Sequence, residues 1–122
     1  MTRGFRVSVS PAFVPHESDR GASQFVFGYR VTIRNESGQS ARLVSRRWLI
    51  TDGQGRQRLV EGEGVLGKQP LIPPGHAHVY SSHCPLKTPW GTMEGVYAMQ
   101  GEDGEQFEIQ VGKFFLIAPD DE

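Results

Sequence analysis

The residues Gly62-Glu63-Gly64-Val65-Leu66-Gly67, with Lys68 beside them, spell a literal G-x-G-x-x-G. In dinucleotide-binding folds that spacing ends a strand and opens a helix, whose first amides hold a pyrophosphate. Here Pro70, Pro73 and Pro74 follow within seven residues of Gly67, so no helix can start and half of that mechanism is missing. The glycines are therefore read as shaping a tight loop or bulge between strands. A second use of the same residues survives. Successive amides and the Lys68 ammonium can cradle a phosphate or pyrophosphate group, which makes Gly62, Gly64, Gly67 and Lys68 the candidate anion-binding residues.

Arg46 and Arg47 stand in the middle of a stretch, Val44 to Ile50, that is apolar apart from them and Ser45. Neighbours on a strand face opposite ways, so at least one guanidinium must face an interior edge or groove. In such a place it pairs with a carboxylate, for instance Asp52, Glu61 or Glu63, or recognises an anion or a partner. Both arginines join the candidate site. Trp90, between Pro89 and Gly91, is read as a loop-tip residue that anchors an interface or caps one end of the fold.

Histidines raise the question of a metal. His76 and His78 are two apart, so on a strand they share a face and are the weak metal candidates. His83 and Cys84 are adjacent and point to opposite faces, so they cannot both join His78 without a bulge. No C-x-x-C or H-x-x-x-H pair with a partner cluster is present, and the expectation is no metal site. Ser81, Ser82, His83 and Cys84 supply nucleophile and base types, but neighbours on a strand face away from one another. Neither a G-x-S-x-G elbow nor an H-E-x-x-H motif occurs, so no catalytic residue and no cofactor are expected.

The elements that must carry these residues are strands. The 122 residues include 15 Gly and 8 Pro, which interrupt the chain before three helical turns can form everywhere but Gln39–Asp52, and that stretch is rich in β-formers rather than helix-periodic. From Gln24 to Arg34 every odd position is apolar (Phe25, Phe27, Tyr29, Val31, Ile33), the period of a strand with one buried face. Phe5, Val7 and Val9 repeat it near the start, and Phe107, Ile109 and Val111 near the end. Reversals at Asn35–Gly38, Asp52–Gly55, Pro73–Gly75 and Glu102–Gly104 divide the chain into seven or eight strands. These cover roughly 4–12, 24–36, 41–52, 56–61, 69–72, 76–84, 91–100 and 105–117, which makes an antiparallel sandwich or barrel. Trp48 is expected at its centre, in a cluster with Phe25, Phe27, Tyr29 and Phe107. The polar segment Pro15–Ser23 is read as a mobile loop, and Asp120-Asp121-Glu122 as a fraying tail.

Composition bounds the rest. At 37% hydrophobic and 22% charged residues the chain is apolar enough for one core, and its length is that of a single domain, 1–122. A formal charge of −1 gives no overall basic footprint, so no nucleic-acid partner is expected. No run approaches a membrane span, the first residues lack a signal peptide's apolar core, and one Cys cannot form an intrachain disulfide. The expected place is the cytoplasm.

Several strings together resemble the ApaG family. Ser45-Arg46-Arg47-Trp48-Leu49-Ile50-Thr51-Asp52, then Gly55, is similar to its S-R-x-W-x-I-x-D-x-x-G signature. Gly62 to Gly67 and on to Gly75 is similar to G-x-G-V-V-G-x-x-P-x-L-x-P-G, and Tyr80 to Tyr97 to Y-x-S, P-L-x-T and G-x-M-x-G-x-Y. Arg47 stands where the family commonly has His, Leu66 replaces a Val, and His76 and His78 lie outside the signature. The resemblance implies a fibronectin type III or immunoglobulin-like antiparallel β-sandwich in a small cytosolic protein. It also implies an association with magnesium and cobalt homeostasis without an established biochemical activity. In eukaryotes the same domain is appended to F-box proteins and a polymerase-delta-interacting protein, which implies a protein partner. The glycine loop is implied to contact phosphate.

Overall fold

The computed structural model describes residues 2–120. Eight strands follow in order: β1 (Phe5–Phe13), β2 (Phe25–Asn35), β3 (Ala41–Asp52), β4 (Gln57–Glu63), β5 (Leu71–Ile72), β6 (Ala77–Leu86), β7 (Trp90–Gly101) and β8 (Gln106–Ile117). One sheet has the order β1-β2-β6 and the other β4-β3-β7-β8, with β5 pairing β3 at its start. Every pairing is antiparallel. The two sheets bury their facing sides against each other, so the fold is the antiparallel sandwich that the alternation predicts.

The core follows the period of two. Phe25, Phe27, Tyr29, Val31 and Ile33 of β2 are all buried, facing Leu43, Trp48, Tyr97, Met99 and Ile109 of the larger sheet. Two irregularities shift that phase. Between Leu43 and Ser45 the β3–β7 register slips by one residue at Val44. Before the slip the odd positions Ala41 and Leu43 are buried, and after it the even positions Trp48 and Ile50. A second irregularity near Gly112 and Lys113 does the same to β8, moving the inward set from Ile109 and Val111 to Phe114 and Leu116. Each bulge turns a run of side chains over to the other face.

Trp48 is buried at 2% exposure, as expected. Of the expected cluster Tyr29 meets its ring, and the other ring neighbours are Tyr97 and Phe114, all three edge-on at 5.8–5.9 Å. Phe107 packs instead on Phe5, beneath the Arg3 guanidinium, and Phe27 packs on Phe13. The β8 bulge is the reason, because it hands the position opposite Trp48 to Phe114. The segment read as a mobile loop forms two 3-10 turns, Pro15–Glu17 and Arg20–Ala22. The Ser18 hydroxyl donates to Val14 and accepts from the Val26 amide, and Arg20 lies over Phe13 and Phe25. The tail residues Asp121 and Glu122 lie outside the described residues.

Candidate functional site

The glycine segment begins on a strand and ends on a turn. Gly62 belongs to β4 and pairs with Arg46 of β3. A Cβ there would meet the Arg46 guanidinium at 2.8 Å, so glycine leaves that group its place across the strand and a side chain would push it aside. Gly64 has φ +59°, and a Cβ on it would fall 2.0 Å from the Lys68 carbonyl oxygen. Val65 and Lys68 then exchange backbone hydrogen bonds of 2.8 and 3.0 Å around Leu66 and Gly67. Both central residues have positive φ, 51° and 76°, which makes the reversal a type I′ turn. No helix follows, and the dinucleotide mechanism has no place here.

Two groups of β3 clamp this turn. The Val44 carbonyl, turned out by the bulge, accepts from the Gly64 amide at 2.7 Å and from Gln69 Nε2 at 3.0 Å. Arg46, two residues on, shares the inward face with Trp48, and its Nη1 donates to the Gly64 carbonyl at 2.8 Å. The bulge therefore brings Arg46 and the glycine turn together. The carboxylate pairings considered from sequence do not form. Asp52 holds Arg56 at 3.1 Å, and Arg47 faces outward with Glu108 at 3.9 Å.

As an anion cradle the turn offers less than its glycines promise. The amides of Gly64, Val65 and Lys68 already donate to carbonyls. The Lys68 ammonium and the Leu66 and Gly67 amides make no hydrogen bond among the described residues. Lys68 lies near His78, whose imidazole is held below its ordinary value first by burial and then by the lysine's charge. His78 stacks on Tyr80, and His76 precedes β6. Among the described residues no group of three or more His, Cys, Asp or Glu is placed to hold a metal ion.

Beneath the clamp lies a buried polar cluster. The Tyr80 and Tyr97 hydroxyls share a hydrogen bond of 2.5 Å. Burial pushes the Tyr80 hydroxyl up to about 12, and Tyr97 and Tyr29 upward as well, against the pull of the Arg46 charge. On β6 Cys84 is buried, its thiol pushed up by burial, while His83 faces the opposite way toward Glu17 at 3.6 Å. Trp90 opens β7 and pairs with Ile117, its indole close against Gly53.

Leu66 is the residue sequence reasoning missed. It stands at the tip of the clamped turn at 64% exposure with a left-handed backbone, a conformation costly to any side chain with a Cβ. The signal was available: the first central residue of a type I′ turn is ordinarily Asn, Asp or Gly.

No helix of the described residues is long and apolar enough to cross a membrane. The family model for the ApaG domain matches residues 15–101. A protein from Brucella abortus named ApaG is 48% identical over 120 residues, which covers 98% of this chain and 92% of that protein. One of the same name from Bordetella pertussis is 48% identical over 113 residues, covering 93% and 86%. A crystal structure from Bordetella pertussis, described as an ApaA protein, superimposes with a TM-score of 0.92 at 47% identity and covers 94% of both chains. These names state no activity and no ligand. With a family model spanning most of its length and relatives matched nearly end to end, this chain belongs to the ApaG family.

Proposed function

We propose that this chain is a cytoplasmic, non-enzymatic interaction module. Its scaffold is a fibronectin type III-like sandwich, its partner a protein, and its contact point the Gly62–Lys68 turn. The observation that carries this reading is Leu66: a large apolar side chain, held in a costly backbone conformation, aimed at solvent and braced from behind by Arg46 and Val44. Strain of this kind persists where the surroundings over-determine it, and it gathers at ligand clamps and binding loops. A rigid apolar tip loses little entropy when it enters a pocket. Lys68 beside it gives the partner a cation to meet, and a phosphate or pyrophosphate group on the ligand fits that role. Arg47, on the outer face of β3, extends the contact along the sheet.

The non-enzymatic part is supported by the chemistry of the chain's one cysteine. Cys84 is buried with a raised thiol, and His83 points away from it. On this reading, any link to magnesium or cobalt homeostasis runs through the partner and not through His76 and His78.

Affinity capture from lysate with wild-type protein, Leu66→Asp and Arg46→Ala tests the site. A protein retained by the wild type should be lost or strongly reduced with both variants, and equal recovery would refute the reading. Titration with inorganic phosphate, followed at the amide resonances of Gly62, Gly64, Gly67 and Lys68, tests the anion role separately. Unmoved resonances would remove phosphate from the proposal while leaving the protein contact standing.

A further inference from the structure

The outward strand positions of the three-stranded sheet carry one sign of charge, with Glu36 and Glu17 reaching Arg6 and His83 from its margins. Register places Arg6 of β1 directly opposite Arg34 of β2, Ser8 opposite Thr32, and Ser10 opposite Arg30, with Ser81 of β6 completing that last row. Arg6, Arg30 and Arg34 are exposed, and no Asp or Glu occupies an outward position of β1, β2 or β6. The larger sheet differs: its outward face sets Arg47 against Glu108 and Lys113 against Glu94. A formal charge of −1 for the whole chain thus conceals a segregated basic face.

Two features mark this face as a docking surface. Like charges directly opposite on neighbouring strands are unfavourable, yet Arg6 and Arg34 sit so. Glu36 offsets half of that by holding Arg6 at 2.7 Å, while Arg34 and Arg30 have no ion-pair partner among the described residues. The second feature is spacing. Arg30 and Arg34 are four residues apart on one strand, about 13 Å at ~3.3 Å per residue. Ser8 and Thr32 line the floor between them. An extended peptide laid along β2 with carboxylates four residues apart matches both guanidiniums, each able to grip a carboxylate with two donors.

We propose that the outward face of β1-β2-β6 docks an extended acidic segment of a protein, through Arg30 and Arg34. Nucleic acid fits less well. The exposed ring on this face is the His83 imidazole, which lies against the Glu17 carboxylate at 3.6 Å, a charge that repels a phosphate chain, and the few cations release few counterions.

Fluorescence anisotropy with short labelled probes tests this. The probes are a Ser/Thr peptide with two glutamates four residues apart, the same peptide with glutamines, and a single-stranded oligonucleotide. The wild type should bind the glutamate peptide, more weakly as salt rises, and should bind the glutamine peptide about tenfold less tightly or not at all. Arg30→Glu with Arg34→Glu should abolish binding. Arg30→Lys with Arg34→Lys, which keeps the charge but not the fork, should weaken it. Leu66→Asp, at the separate turn, should leave it unchanged. Failure of the wild type to bind the glutamate peptide, equal binding of the glutamine peptide, tighter binding of the oligonucleotide, or undiminished binding by the double Glu variant would each overturn the proposal.

Discussion

Arg46 Nη1 donates to the carbonyl of Gly64 at 2.8 Å, so a strand side chain on the inward face holds the first bend of the glycine turn. The guanidinium passes over Gly62 to reach it, in space that a Cβ at that position would crowd. Gly62, Gly64 and Arg46 therefore act as one unit whose product is the position of Leu66.

That unit makes a pair of stability predictions. Arg46→Ala should cost about 1.5–3 kcal/mol, the worth of a hydrogen bond from a charged donor to a carbonyl that loses it. Gly64→Ala should cost at least about 2 kcal/mol, since a positive φ and a backbone clash with Lys68 act together. Denaturant unfolding checks both. A Gly64→Ala midpoint equal to the wild type would show that the turn rearranges at little cost, and Leu66 would then lack its brace.

Leu66→Asn should move stability the other way. Asn tolerates the left-handed region that Leu66 occupies at φ 51°. The substitution should raise unfolding free energy by roughly 0.5–1 kcal/mol while reducing partner recovery. A gain in stability with binding lost identifies a residue kept for contact. A loss of stability would mean that the exposed side chain packs on its own chain.

Trp48→Ala should cost about 3–5 kcal/mol, as for other large truncations in a packed core. Three aromatic rings lose their common neighbour at once, because Tyr29, Tyr97 and Phe114 all meet that indole. Phe107→Ala should cost less, since Phe107 is only partly buried and packs on Phe5 at another place in the core. Chemical denaturation of the two variants side by side gives the order, and a reversed order would contradict the placement of Trp48.

The strands were legible because alternation and turn residues report local geometry directly. β3 falls on the expected bounds, 41–52, and the other strands lie within a few residues of theirs. The bulges were not legible. Nothing about Val44 or Lys113 announces that the strand shifts phase there, yet those shifts decide that Arg46 faces inward and that Phe114 meets Trp48. The opposition of Arg46 and Arg47 followed from the pleat, while the choice between them needed the register. Pro15–Ser23 read as a loop because its order comes from distant groups: Val14 and Val26 meeting at Ser18, and Phe13 and Phe25 lying under Arg20. Arg30 and Arg34 are four apart in the sequence, but only pairing with Arg6, Ser10 and Ser81 makes them a face.

The three tyrosines of the chain give the pH dependence. Tyr29, Tyr80 and Tyr97 are all buried, and burial is the largest cause raising each hydroxyl, Tyr80 to about 12. The Arg46 guanidinium favours the ionised form and loses to burial. In the unfolded chain a phenol ionises near 10, so above that pH the folded state holds protons that the unfolded state releases. The stability contributed is whole below about pH 10 and is lost as pH rises toward 12. Denaturation midpoints should therefore stay level in this respect up to about pH 10 and then fall, with tyrosinate absorbance appearing together with unfolding. Tyr80→Phe should soften the fall, because it removes one raised hydroxyl while keeping the ring in place. Ionisation of two or more tyrosines near pH 10 in protein that is still folded would put those hydroxyls in water, and would undo the buried pair at the centre of this sandwich.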